Sequence, residues 1–297
     1  MCLKNNQLLI GVLLTVFVCA CSLPEADGKN KTGTLTWKLN DGTLTISGKG
    51  PMPNYGSEGG PWCNLRNEYP YIIAIIVKDG VINIGNNAFV NIDTVVYVSI
   101  PDSVISIGDN AFKSCDSIIT ITIPDSVINI DRSAFQDCSR LIAIDIPDGV
   151  LNIGKNAFMN CRSLIKVTLG KNVTFIGFDA FQNCKNIQIV ISNNSIPPHM
   201  ETGERLIEND YTARVVTGRK YNRKYLNVSA FDSVSRKCRL IIPDEYISAY
   251  KEDTQWIKFY NGRPEEVIIY KPEYKPVPVN REEIMRSLRG RELIESF

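Results

Sequence analysis

A 23-residue unit recurs along the middle of this chain, and nothing else in it restricts the fold as strongly. Pro101–Ile123 reads PDSVISIGDNAFKSCDSIITITI, and it returns as PDSVINIDRSAFQDCSRLIAIDI from Pro124 and PDGVLNIGKNAFMNCRSLIKVTL from Pro147. A looser copy begins at Gly170. Another occupies Lys78–Ile100, with Lys78 in the proline's place and Ile92 where the others carry cysteine. One such unit cannot close a core around itself. Successive units must stack and share one, and a fixed period in the twenties is the signature of a solenoid. In Pro101–Ile123 the alternation Ile118-x-x-Ile121-x-Ile123 predicts a main strand that Pro124 ends. Val104–Ile107 predicts a second, shorter strand. Gly108 suits a turn, and Asp109 or Asn110 suits the cap of a short helix bearing Ala111 and Phe112. Each rung therefore reads as short strand, helical turn and main strand, with Phe89, Phe112, Phe135, Phe158 and Phe181 piled in one file.

The motif IPDSV-x-x-IG-x-x-AF-x-x-C-x-x-L/I, at a 23-residue period, resembles the BspA-like leucine-rich-repeat family of bacterial surface proteins. The resemblance implies an α/β-type repeat solenoid: a right-handed leucine-rich-repeat coil, mostly β with short helical turns, capped at both ends. It also implies adhesion to, or recognition of, host or neighbouring-cell macromolecules. A scaffold of this kind does not name its ligand. A rival reading from another class is an envelope-structural or accessory protein that holds a companion in the same membrane.

The first residues concern destination. Lys4 supplies a positive n-region, and Leu8 to Ala20 is a 13-residue apolar run. That is too short to span a bilayer as a helix but right for a signal peptide. The run ends Val18-Cys19-Ala20-Cys21-Ser22, which resembles the lipobox of bacterial lipoproteins. By that resemblance Cys21 becomes the lipidated first residue of the mature chain, and Ser22 after it suggests the outer membrane. A conventional signal peptide cut nearby is the alternative. The chain then divides into a signal peptide (1–21), a flexible tether (22–32), an amino-terminal β-hairpin cap (33–70), the solenoid (71–192), a degenerate last repeat with an inserted basic hairpin and a carboxy-terminal cap (193–262), and a Pro-rich spacer with a short helix (263–297).

In the first cap, Leu35, Trp37 and Leu39 alternate up to the turn Asn40-Asp41-Gly42, and Leu44 and Ile46 return. Tyr55 and Trp62 are candidate anchors of the loop that follows; Trp37, Tyr55 and Trp62 suit a lid over the first rung better than a sugar site. Ala230-Phe231 and Leu240-Ile241-Ile242-Pro243 mark a sixth rung, interrupted by an insertion of about 27 residues over the normal period. Within it Tyr211–Val216 and Tyr221–Val228 could pair across Thr217-Gly218. Arg214, Arg219, Lys220, Arg223 and Lys224 lie there among tyrosines, either guarding an exposed edge or contacting an acidic ligand. Tyr246, Tyr250, Trp256 and Phe259 resemble the family's closing helix and aromatic cap.

Catalytic chemistry is scarce. The chain has one histidine, His199, in an expected loop beside Pro197-Pro198, and no phosphate-binding or dinucleotide fingerprint. This argues against His-rich metal sites and Ser-His-Asp or Cys-His mechanisms. Asp102, Asp125 and Asp148 recur with the period as turn formers. No catalytic residue, metal or cofactor is expected. A net charge of +1 gives no bulk attraction to nucleic acid, and the membrane is expected to be met only through the lipid. Cys115, Cys138, Cys161 and Cys184 form a column, expected as buried thiols rather than disulfides or metal ligands. Cys63 and Cys238 fall in opposite caps.

The partner would be a protein or glycan. Outward positions of the main strand (Tyr97, Ser99, Thr120, Thr122, Ala143, Asp145, Lys166, Thr168) form a small, mixed strip of roughly 400 Å² in projection. A standard interface takes roughly 800 Å² per partner, so tight binding also needs the basic hairpin, a cap or a second copy. Candidate ligand contacts are Tyr97, Ser99, Thr120, Thr122, Asp145, Lys166 and Thr168 on the strip, with Arg214, Arg219, Lys220, Arg223 and Lys224 on the hairpin. Ile82, Ile105, Ile128 and Leu151 make one further column: core if the short strand is regular, an aliphatic stripe if they point out. Partial exposure is expected.

Overall fold

The structure is a computed structural model. It describes residues 26–29, 34–63, 71–206, 225–228, 230–231, 234, 238–253, 255–256 and 268–270. The signal-peptide segment, Cys21 and the five basic residues of the insertion lie outside these. Most rungs contribute one strand to a main sheet and one to a short-strand sheet. The main sheet opens with β1 (Ala26–Lys29), β2 (Leu35–Asn40) and β3 (Thr43–Gly48), an antiparallel trio. Asp41 (φ 46°) and Gly42 (φ 70°) turn β2 into β3, as the Asn-Asp-Gly sequence predicts. β4 (Ala74–Val77) and β5 (Tyr97–Ser99) add parallel to β3. The short strands β6 (Ser106–Ile107), β7 (Asn129–Ile130), β9 (Asn152–Ile153), β11 (Phe175–Ile176) and β13 (His199–Met200) stack in parallel as a second sheet. The main sheet resumes as β8 (Ala143–Asp145), β10 (Lys166–Leu169), β12 (Ile189–Ser192), β16 (Arg239–Pro243) and β17 (Ile268–Tyr270), all parallel.

Between the sheets lies one core. Phe89, Phe112, Phe135, Phe158 and Phe181 are fully buried and stacked, with centroids 5.2, 5.3, 5.3 and 5.2 Å apart. Phe231 continues the file at 4.7 Å, which makes Ala230–Phe231 the sixth rung. The ends are closed by aromatics. Trp62 stacks on Phe89 at 5.5 Å and is braced edge-on by Trp37 and Tyr55; Trp256 covers Phe231 from the other side. The capping reading of Trp37, Tyr55 and Trp62 therefore holds.

Several expectations are corrected. Among the described residues no rung contains an α-helix. The segment after Gly108 is a run of turns in which Asn110 (φ 53°) and Ser114 (φ 58°) adopt left-handed backbone, as do their equivalents in the other rungs from Lys78 to Ser192. Asn, Asp and Ser tolerate that geometry better than branched residues do. It breaks the i→i−4 ladder, and alternate N–H groups instead reach the next rung: Asn110 to Arg132 O (2.9 Å), Phe112 to Ala134 O (2.8 Å), Ser114 to Gln136 O (2.8 Å). Asn110 is thus a left-handed turn residue, not a helix cap. The α-helix of the described residues is confined to the closing cap, where α1 (Ile247–Glu252) follows a 3₁₀ turn at Asp244–Tyr246. The tether is not wholly free, since β1 falls within it; edge pairing uses backbone alone and needs no apolar pattern. β17 likewise extends the sheet into the expected spacer. In the insertion, β15 (Tyr225–Val228) pairs with β14 (Gly203–Leu206), and the expected partner segment 211–216 lies outside the described residues. His199 starts β13 rather than lying in a loop.

The main sheet is also interrupted. Residues 118–123 belong to no strand, although Ile118, Ile121 and Ile123 point inward as predicted and Thr120 and Thr122 outward. Alternation fixes which way side chains face; pairing further needs even spacing between rungs along that whole side. Here the turn ladder and the β6–β7 pair hold the register. In the next rung, Asp131 occupies the slot that is Gly108, Gly154 and Gly177 elsewhere. A Cβ on Gly154 would lie 2.6 Å from Arg132 N, and on Gly177 2.5 Å from Lys155 N. Asp131 places a side chain in that crowded slot, half-buried. Its carboxyl pKa is raised by burial and then by the charge of Asp109. Asp131→Gly should stabilise the fold by about 1 kcal/mol at pH 7, the relief exceeding glycine's entropic cost. Because the folded pKa is raised, the ionised carboxylate penalises folding only above its unfolded value near 3.9. The gain in urea unfolding should accordingly shrink towards pH 4; a variant less stable than the parent at pH 7 would refute this.

Candidate binding face

Seven of the predicted contacts come together on one face. Tyr97, Thr120, Thr122 and Asp145 are exposed, and Ser99, Lys166 and Thr168 are half-covered. β8 and β10 set Lys166 beside Ala143 and Thr168 beside Asp145, and Lys166 Nζ sits 3.4 Å from Asp145 Oδ1. The Thr168 hydroxyl is buried with no hydrogen-bond partner among the described residues. Thr120 and Thr122 occupy the gap between the two halves of the main sheet.

The aliphatic stripe points outward: Ile82, Ile105, Ile128 and Leu151 are exposed, Ile105 the most at 49%. A second outward column is absent from the sequence-based candidates. It runs through Ile73, Val96, Ile119, Ile142 and Ile165, linked by Val96 N–H to Ile73 O (2.9 Å), Ile142 N–H to Ile119 O (3.0 Å) and Ile165 N–H to Ile142 O (2.7 Å). Ile73 and Ile165 are exposed and the three between them are half-buried. Its signal was present, since each sits directly after a core residue at the same 23-residue spacing, but the doubled apolar pair reads as core.

Among the described residues, Cys115, Cys138, Cys161, Cys184 and Cys238 are buried thiols outside any disulfide. Cys115, Cys138, Cys161 and Cys184 donate to the carbonyls of Phe89, Phe112, Phe135 and Phe158 at 3.1, 3.2, 3.3 and 3.0 Å. Each thiol thus ties one rung to its predecessor. Burial pushes the pKa values of Cys115, Cys138 and Cys161 up, and that of Cys238 to about 12. Among the described residues no three His, Cys, Asp or Glu side chains are grouped as a metal site would need, and no helix is long and apolar enough to cross a membrane.

These features define a capped β-solenoid of about six 23-residue rungs with an outward polar face. Residues 67–188 match the BspA type leucine-rich repeat region in six copies, so this stretch of the chain is similar to that family of repeats. It is similar to the leucine-rich-repeat protein of T. pallidum (27% identity, TM-score 0.40, covering 55% of this chain and 71% of that one). It is also similar to the pneumococcal vaccine antigen PcpA (14% identity, TM-score 0.50, 82% of this chain and 49% of that one), a likeness of fold. A leucine-rich cell surface protein of Faecalibacterium prausnitzii matches at 22% identity and TM-score 0.39, covering 75% of this chain and 72% of that one. The chain spans about half the length of the PcpA structure. No curated protein matches it.

Proposed function

We propose that this is a non-enzymatic, lipid-anchored protein of the cell envelope whose main-strand face recognises a macromolecular ligand, protein or glycan. The reading rests on one observation: the solenoid sets Tyr97, Ser99, Thr120, Thr122, Asp145, Lys166 and Thr168 on a single face, with an aromatic at one end and a Lys–Asp pair towards the other. Aromatic rings with hydroxyls suit sugar edges and peptide backbones alike, and a small strip relies on few anchors. The anchor is assigned to Cys21, and display at the outer membrane follows from Ser22. Arg214, Arg219, Lys220, Arg223 and Lys224 add a basic contact for an acidic ligand. The full chain is tested on arrays of glycans and matrix proteins. For a captured ligand, Tyr97→Ala with Lys166→Ala should weaken binding about tenfold, whereas Ile128→Asn on the short-strand sheet should not. Equal binding by the strip variant removes the face from consideration. Incorporation of labelled fatty acid, lost in Cys21→Ala, tests the anchor separately.

A further inference from the structure

A second surface, beyond the ligand strip, fits another copy of this chain. The position immediately after the cysteine of each rung, or after Ile92 in the first, is Asp93, Asp116, Ser139, Arg162 and Lys185 in order along the solenoid. All four charged members are exposed, and their column is antisymmetric: two acids, a neutral centre, two bases. Three residues further along each rung runs the outward aliphatic column, of which Ile119, Ile142 and Ile165 lie nearest the centre. Among the described residues, Asp116, Arg162 and Lys185 form no ion pair within the chain.

We infer that two copies associate face to face, antiparallel, through these two columns. A two-fold axis lying in the interface, perpendicular to the stack and passing at Ser139, sets each column against its own copy in reverse order. Asp116 then faces Arg162 of the other copy, Asp93 faces Lys185, Ile119 faces Ile165, and Ile142 meets itself. The contact is isologous, so every favourable pair occurs twice. A parallel arrangement would set acid on acid and base on base. The charge sequence therefore selects the antiparallel one. Arg140 meets its own counterpart near the axis, which limits affinity. The area, about 20 Å along the rungs by 15 Å across, is some 300 Å² in projection, well below the roughly 800 Å² per partner of a standard interface. The dimer is a weak one, with dissociation on the order of 10 μM to 1 mM.

Sedimentation of the full chain in mild detergent, from 1 μM to 1 mM, tests this. The expected result is a concentration-dependent dimer that dissociates more readily as salt is raised. Asp116→Lys alone and Arg162→Asp alone should each weaken it on the order of tenfold, because each reverses two pairs per dimer. A one-to-one mixture of the two variants should restore the dimer, since Asp116→Lys then faces Arg162→Asp while the other pair is native. Unchanged thermal melts show that both variants fold. A chain monomeric at 1 mM overturns the proposal, as does a dimer indifferent to either reversal, or two weakened variants that fail to rescue one another.

Discussion

Replacing Phe135 with alanine is expected to cost about 3–5 kcal/mol of unfolding free energy, as large aromatic-to-alanine changes in rigid cores do. The site leaves little room for relaxation. The ring lies 5.3 Å from Phe112 at an interplanar angle of 5° and 5.3 Å from Phe158 at 6°, with no exposed surface. Two stacked contacts are lost together, each contributing about 0.5–1.5 kcal/mol. The neighbouring rungs cannot close over the void, because the turn ladder pins them: Phe135 N–H to Ala157 O at 2.7 Å and Phe112 N–H to Ala134 O at 2.8 Å. In a stack where each rung contacts only its neighbours, weakening the central contact also uncouples the two ends. Urea unfolding should show a lower midpoint and, for the variant, a broadened or split transition. A cost below about 1 kcal/mol would mean that the file is not the core's organising contact.

Raising the pH from roughly 8.5 to 9.5 should remove about 3 kcal/mol of stability through three thiols. Burial holds the folded pKa values of Cys115, Cys138 and Cys161 well above the ordinary thiol range, with a smaller rise from Cys138 at Cys115, from Asp116 at Cys138 and from Cys184 at Cys161. In the unfolded chain the same groups ionise near 8.5. Below that value both states keep their protons and the thiols contribute no pH dependence. Above it the unfolded state releases protons that the folded state retains, so unfolding is favoured. Each thiol contributes about 1 kcal/mol over the first unit. Urea unfolding of the full chain at pH 7.5, 8.5 and 9.5, beside the triple variant Cys115→Ala, Cys138→Ala, Cys161→Ala, isolates the effect. The variant should be less stable at pH 7.5 yet lose much less between 8.5 and 9.5. Equal slopes would show that the thiols ionise in the folded state.

Much of this architecture can be read from residues alone, where one residue type has one physical use. Phenylalanine and cysteine recurring at 23 residues can only pile up once the rungs stack, and Asn40-Asp41-Gly42 fits one kind of tight turn. The turn face was harder to read because asparagine serves two purposes: Asn110 suits a helix cap and equally a left-handed backbone, and only the inter-rung hydrogen bonds decide. The pairing of main strands was hidden because alternation at 118–123 reports the direction of side chains and not the spacing of neighbours. β1 and β17 pair by backbone along sheet edges, which leaves no side-chain pattern to find. Of the candidate site, the polar strip follows from strand alternation. The Ile119 column was masked by its adjacency to core residues such as Ile118.

The turn ladder gives the stack a chemical direction. Its N–H groups all face the later rung and its carbonyls the earlier one, so the two ends of the solenoid are unlike. The amino-terminal lid must bring donors, as it does with Tyr55 N–H to Asn86 O (2.9 Å) and Trp62 Nε1–H to Ala88 O (2.8 Å). The ladder runs on into the sixth rung, where Ala230 O takes the N–H of Phe181 at 3.0 Å, so a lid at the opposite end must bring acceptors. The lids are therefore not interchangeable: exchanging them would set donor against donor and acceptor against acceptor. Lengthening the molecule by whole 23-residue units keeps both lids matched, and so the array can grow or shrink in its middle without redesigning its ends.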